Sequence, residues 1–62
     1  MKITYDKKAE AVYIYISPIE KGSVDHTVEI TDNLLIDYQD ANNTIPLGIE
    51  ILGVETLELE IT

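Results

Sequence analysis

Apolar side chains take every second position along most of this chain. Leu34, Ile36 and Tyr38 alternate with Leu35 and Asp37; Leu47, Ile49 and Ile51 alternate with Gly48 and Glu50; Leu57, Leu59 and Ile61 alternate with Glu58 and Glu60. A period of two belongs to a pleated strand with one face on a core and the other toward water. The pattern predicts strands over residues 1–5, 9–16, about 25–31, 33–38 and 45–52. After Gly53, Leu57, Leu59 and Ile61 fit a strand while Val54, Leu57 and Ile61 fit a helix. Strand is preferred there because Thr56, Ile61 and Thr62 form helices poorly. The expected fold is mainly β, or α+β with a short C-terminal helix. Short connections favour pairing of neighbours, hence a single antiparallel meander sheet of about five to six strands with one apolar face. No linker, repeat or low-complexity stretch divides residues 1–62, which read as one small domain.

Parity assigns side chains to faces. Val12, Ile14 and Ile16 oppose Ala11, Tyr13 and Tyr15; the aliphatic set belongs to the core, and tyrosines tolerate partial wetting through their polar ends. A three-residue first turn would place Tyr5 across from Ala9 and send Ile3 to the tyrosine face. A four-residue turn places Tyr5 across from Glu10 and Ile3 across from Val12, which gathers the aliphatic residues. Because a one-residue slip flips a whole strand, the four-residue turn is expected. The same reasoning predicts a three-residue loop at Asp32 and Asn33, with Ile30 opposite Leu34, Val28 opposite Ile36 and Asn33 at positive φ. The polar residues 39–44 read as an exposed turn. Beyond it Tyr38 should oppose Ile45, Leu34 should oppose Ile49, and Leu35 should face Gly48, whose bare backbone leaves a slot for Leu35 or for a partner's side chain.

Size and charge narrow the function. A chain of 62 residues buries only about 60% of its unfolded surface, and small domains usually add a disulfide, a metal or a second subunit. Cysteine is absent and histidine occurs once, which removes disulfides and leaves too few ligands for an intrachain zinc site. Self-association is the remaining staple, so a homodimer is expected. Twelve acids stand against four lysines and no arginine, a net charge of −8. Binding to nucleic acid or to anionic membranes needs the opposite sign; a basic protein partner fits. No apolar run approaches the ~20 residues of a membrane span and no signal segment opens the chain, so a cytoplasmic location is expected.

Candidate chemistry is sparse. His26 follows Asp25, yet strand neighbours point to opposite faces, so the pair should not meet without a bulge. Ser17 and Ser23 adjoin Pro18 and Gly22, where serine serves turn geometry, and His26 is the single base either could use. Glu58 and Glu60, or Asp32, Asp37 and Asp40, could give a divalent ion some of its oxygens, but no calcium-loop pattern is present. No cofactor and no metal site is expected. Glu50 lies on the face shared with Gly48 and Leu52. It is either a solvated acid or, beneath a second subunit, an acid needing a donor from Tyr13, Tyr15, Thr4 or a lysine. Ala11, Tyr13, Tyr15, Leu35 and Leu52 make that outer face unusually apolar and aromatic, and tyrosine is enriched in interface cores. Tyr13, Tyr15, Leu35, Gly48, Glu50 and Leu52 are therefore the candidate partner interface.

The segments Tyr5-Asp6, Ala9-Glu10-Ala11-Val12-Tyr13-Ile14, Leu35-Ile36-Asp37-Tyr38 and Leu47-Gly48-Ile49-Glu50-Ile51-Leu52 resemble domain-of-unknown-function family 2283, a group of small prokaryotic proteins. The resemblance runs to about Leu52. This chain departs from it in having Glu10 where the family usually has Asp, and Ala41-Asn42-Asn43-Thr44 in place of an acidic, glycine-containing turn. The resemblance implies a β-rich fold and brings no catalytic residue or cofactor. Some members look like partners of small toxin-like proteins in two-gene modules, which would suit an acidic protein shielding a basic surface. The expected function is a non-enzymatic interaction module, homodimeric and antitoxin-like, whose tyrosine-rich face or acidic tail binds a basic protein. The alternative is a metal-dependent or acid–base enzyme built on Asp6, Glu10, Asp37 and Glu50.

Overall fold

The computed structural model describes residues 1–61. Five strands, β1 (Lys2–Asp6), β2 (Ala11–Tyr15), β3 (His26–Thr31), β4 (Leu34–Tyr38) and β5 (Pro46–Leu52), form one antiparallel sheet. The expected mainly β, single-sheet architecture is what the chain adopts. The strand order β1-β2-β5-β4-β3 differs from a consecutive meander: residues 16–25 pass from β2 to the far edge, and β5 returns to fill the centre. The composition of the strands gives the reason. β5 offers Leu47, Ile49 and Ile51 to one face and Gly48 and Leu52 to the other, so it gains most from neighbours on both sides. β1 and β3 carry Lys2, Thr4 and Asp6, and His26, Thr27 and Glu29, the polar kind of strand that suits an exposed edge.

Outside the two bulges the face assignments made by parity survive in the ladders, but the registers move. Tyr5 pairs with Val12 and Ile3 with Ile14, two residues away from the expected match. The turn does hold four residues, 7–10, because Asp6 Oδ1 accepts the Ala9 N–H at 3.0 Å and Glu10 closes the loop at φ 55°. Leu34 pairs with Ile51 and Leu35 with Glu50, so Gly48 faces Asp37 rather than Leu35. Here a bulge at Leu47 shifts the ladder, and Tyr38 pairs with Pro46.

The β3–β4 hairpin resolves its conflict differently from expectation. Its turn is the two residues Asp32 and Asn33, and a bulge at Ile30 restores the pairing of Val28 with Ile36. A bulge supplies the one-residue shift that a longer loop would otherwise provide. Ile30 is consequently 50% exposed instead of facing the core, and among the described residues the non-glycine residues with positive φ are Glu10 and Asn43, not Asn33.

The aliphatic face carries a row of Ile3, Ile14, Ile49, Ile36 and Val28 across all five strands, with Tyr5, Val12, Ile51 and Leu34 beside it. Among the described residues Val12 and Leu47, at 3% and 4% exposure, are the buried large apolar side chains, and none is fully enclosed. Residues 54–61 form neither strand nor helix, so the expected sixth strand is not made. Alternation favours a strand only where a ladder partner exists. Gly53 instead turns the chain away at φ 75°. Val54 N–H then donates to the Glu10 carbonyl at 2.7 Å. The Tyr5 hydroxyl lies 3.1 Å from the Val54 carbonyl and 2.8 Å from that of Glu55. Thr62 lies outside the described residues.

Candidate interaction face

All six candidate interface residues share the face opposite the aliphatic rows. Tyr13 and Tyr15 come from β2, Leu35 from β4, and Gly48, Glu50 and Leu52 from β5. Two cross-strand rows organise them. One runs Thr4, Tyr13, Glu50, Leu35, Glu29, and the next runs Lys2, Tyr15, Gly48, Asp37, Thr27.

Gly48 does leave a slot, but the chain fills it itself. The Tyr13 ring leans over the Gly48 backbone, so that a Cβ there would meet Tyr13 Cζ at 2.6 Å and Cε2 at 2.7 Å. This reach lets the phenol cross β5 and donate to Asp37 Oδ2 on β4. Asp37 Oδ1 accepts a second hydrogen bond from Thr27 Oγ1 at 2.5 Å. Tyr15 packs edge-on against Tyr13 with ring centroids 4.6 Å apart, and the Lys2 ammonium sits 4.5 Å over the Tyr15 ring, a cation–π contact. One polar and aromatic chain thus runs from edge to edge: Lys2, Tyr15, Tyr13, Asp37, Thr27. Burial, followed by the hydrogen bond and charge of Asp37, pushes the Tyr13 phenol well above the ordinary tyrosine range. The neutral phenol is a donor, and Asp37 stands ready to accept.

Glu50 is half-buried between Tyr13 and Leu35. Its pairing with Tyr13 in the ladder does not make it the phenol's acceptor; Asp37 takes that role because Gly48 lets the ring lie toward β4. Asp37, Thr27 and Lys2 were not among the residues assigned to this interface. The signal for them was the Tyr13–Gly48 diagonal, visible only once β5 is known to lie beside β2.

The four carboxylates of the enzymatic alternative are split. Asp37 and Glu50 lie in the middle of the outer face, whereas Asp6 ends β1 beside Ala11 and Glu10 closes the β1–β2 turn, at the far end of β2. Both Asp37 oxygens are occupied by hydroxyl donors. Among the described residues no three His, Asp or Glu side chains gather within reach of one ion.

His26 and Asp25 do meet, contrary to the strand argument, with Nδ1 2.8 Å from Oδ2. Asp25 precedes β3 and bonds through its N–H to the Tyr38 carbonyl at 2.8 Å, so strict alternation does not reach it. His26 Nε2 lies 2.5 Å from Asn43 Oδ1, and the imidazole stacks on Tyr38 at 5.7 Å. Ser23 serves its turn as expected, donating to the Glu20 carbonyl at 2.7 Å. Ser17 lines a shallow cleft of about 370 Å³ with Met1, Lys2, Tyr15, Pro18 and Ile19.

The profile of the family of proteins of unknown function DUF2283 matches residues 2–54. The chain belongs to this family. No curated protein and no solved structure matches it. The DUF2283 match takes in all five strands and the whole outer-face network, and it ends where the chain leaves the sheet at Gly53 and Val54. No helix among the described residues is long and apolar enough to cross a membrane.

Proposed function

We propose that this DUF2283 chain is a non-enzymatic, cytoplasmic protein-interaction module that works as a homodimer. In this reading it engages a basic protein partner in an antitoxin-like manner through the outer, tyrosine-bearing face. The observation that carries the reading is the uncompensated acid of that face. Asp37, Glu50 and Glu29 stand around Tyr13 and Leu35. The ion pair among the described residues is His26 with Asp25, so no carboxylate among the described residues is paired with a lysine. Lysine or arginine side chains of a partner could lay their stems on Leu35 and Tyr13 while their charged heads meet these carboxylates.

Affinity capture from the native host tests the reading. A basic protein should be retained at about 0.05 M salt and released at about 0.5 M, as screened charge pairs require. The double substitution Glu29→Gln, Glu50→Gln should retain it less well than the parent chain. Recovery of nothing but the chain itself at every ionic strength overturns the proposal.

A further inference from the structure

The homodimer in that reading needs a seam, and the outer face is a poor one. The Tyr13 and Thr27 hydroxyls there already serve Asp37 and Lys2 already lies on Tyr15 within a single chain, while the negative charge of Asp37, Glu50 and Glu29 stays unneutralised. The opposite face is unfinished. A compact monomer of 7.0 kDa is expected to expose about 4,000 Å² and to have a radius of gyration near ~10.6 Å. This chain exposes 4843 Å² with a radius of gyration of 12.2 Å. The excess of about 800 Å², to which the exposed Met1, Leu59 and Ile61 contribute alongside the open face, is of the size that each partner gives up in a stable protein–protein interface. A single sheet has two faces and one layer, whereas stable β-domains close a core between two layers.

From this geometry we infer that the row Ile3, Ile14, Ile49, Ile36, Val28 is the seam of a face-to-face dimer, with a second copy of this chain supplying the other layer. The inference rests on the homodimer half of the proposed function and assigns its face. The row is suited to the task. Its five residues are β-branched, so their side chains lose little rotamer freedom on packing. It spans every strand at about 4.8 Å spacing, a flat strip roughly 19 Å wide. Ile3 at its edge is 41% exposed, and Ile14, Ile36, Ile49 and Val28 are half-buried rather than enclosed. A like sheet laid on it about 10 Å away, with strands within about 30° of parallel, buries the same residues from both chains. The self-complementary match that a two-fold axis demands is then automatic, because one apolar strip meets its own copy. Charge supports the same choice. The row carries no carboxylate, whereas an outer-face dimer would bring Asp37, Glu50 and Glu29 of two copies together. The two faces then divide the work, the aliphatic one closing the dimer and the acidic one staying free for a basic partner.

Two measurements on the unmodified chain test the assignment. Light scattering across a concentration series gives the mass. Methyl NMR with a soluble gadolinium chelate reports which side chains are covered. The expected result is twice the chain mass, with the methyls of Ile14, Ile36 and Ile49 protected and those of Leu35 and Leu52 broadened. The substitutions Ile36→Thr and Val28→Thr keep β-branching while wetting the strip, and each should weaken dimerisation at least tenfold; Leu35→Thr should change it less than threefold. A dimer with Leu35 and Leu52 protected and the isoleucines broadened overturns the face and leaves the dimer standing. A monomer overturns both, and protected isoleucines in a monomer identify the chain's own residues 55–61 as the cover. Neither failure touches capture of a basic partner by the outer face, which is read separately by salt and by Glu29→Gln, Glu50→Gln.

Discussion

Tyr13 lies across Gly48, with its ring occupying the space that any side chain at position 48 would need. The ring cannot simply swing away, because the phenol is tied to Asp37 and the ring edge packs on Tyr15. Gly48→Ala should therefore destabilise the fold by about 1–3 kcal/mol, the usual cost of overpacking. Denaturant unfolding measures it. In a Tyr13→Thr background the same substitution should cost less than about 0.5 kcal/mol, since the two sites are coupled through one contact. Equal costs in both backgrounds would show that Gly48 is required for some other reason.

Removing the Tyr13 hydroxyl isolates the next link. Tyr13→Phe leaves the ring over Gly48 but deprives Asp37 of one donor, and a hydrogen bond to a charged group is worth about 1.5–3 kcal/mol. The loss should sit at the lower end because Asp37 keeps Thr27 and partial access to water. The parent phenol also couples stability to pH. Its folded pKa lies above its unfolded value, so the folded state holds the proton more tightly. That contribution is complete below about pH 10 and is lost as pH rises further. NMR titration of the Tyr13 Cζ resonance should show an ionisation delayed beyond that of a free tyrosine, and the delay should shrink in Asp37→Asn.

How far the sequence carries is shown by the two tyrosines and their neighbours. Alternation placed Tyr13, Tyr15, Leu35, Gly48, Glu50 and Leu52 on one face and the isoleucines on the other, and the ladders agree. Face is a local property, set by parity within each strand. Register and strand order depend on turns and bulges, which cost little and leave weak traces in composition. The bulges at Ile30 and Leu47 each slide a ladder; they leave Ile14, Ile36, Ile49 and Ile51 on the aliphatic face but turn Ile30 and Ile45 out to 50% and 47% exposure. The placement of β5 beside β2 follows from burial on both faces, a comparison between strands that a reading of neighbours overlooks. Leu57, Leu59 and Ile61 alternate as regularly as any strand, yet they are 37%, 60% and 95% exposed, because residues 54–61 pair with neither edge strand of the sheet.

His26 should make stability fall as pH rises through neutrality. Its ring nitrogens face Asp25 Oδ2 at 2.8 Å and Asn43 Oδ1 at 2.5 Å, two acceptors that only the doubly protonated ring can serve together. The Asp25 hydrogen bond leads in raising its pKa above the ordinary value. The folded state thus binds the proton more tightly, and the resulting stability is present below about pH 6.5 and lost as pH climbs through the folded pKa. His26→Gln should flatten the unfolding midpoint over that window. An unchanged pH profile in the variant would remove His26 as its source.

Asp40 acts in the opposite sense. Its carboxylate accepts from Thr44 Oγ1 at 2.5 Å, from Thr44 N–H at 3.0 Å and from Ile45 N–H at 2.9 Å. The Thr44 hydroxyl leads in holding the acid below the usual carboxylate range. The stability it lends is present above about pH 4 and disappears as pH falls through the lowered value. Thr44→Val should raise the Asp40 pKa in a carboxylate NMR titration and lower the melting temperature at neutral pH more than at pH 3.

Glu10 is the one substitution site where a gain is expected. At φ 55° its backbone sits in the left-handed region, which costs a side-chain-bearing residue roughly 1–2 kcal/mol and which Gly, Asn and Asp accept more readily. The strain persists because Glu10 closes the β1–β2 turn, and its carbonyl accepts the Val54 N–H at 2.7 Å, anchoring the segment that leaves β5. Its side chain is exposed, so little is lost by replacing it. Glu10→Gly should relieve the strain, less the extra entropy that glycine gives the unfolded chain, for a net gain of about 0.5–1 kcal/mol. Glu10→Asn should gain a similar amount with less unfolded-state cost. Thermal unfolding compares the three chains, and a loss of stability in both variants would mean that the Glu10 side chain contributes a contact outweighing its backbone.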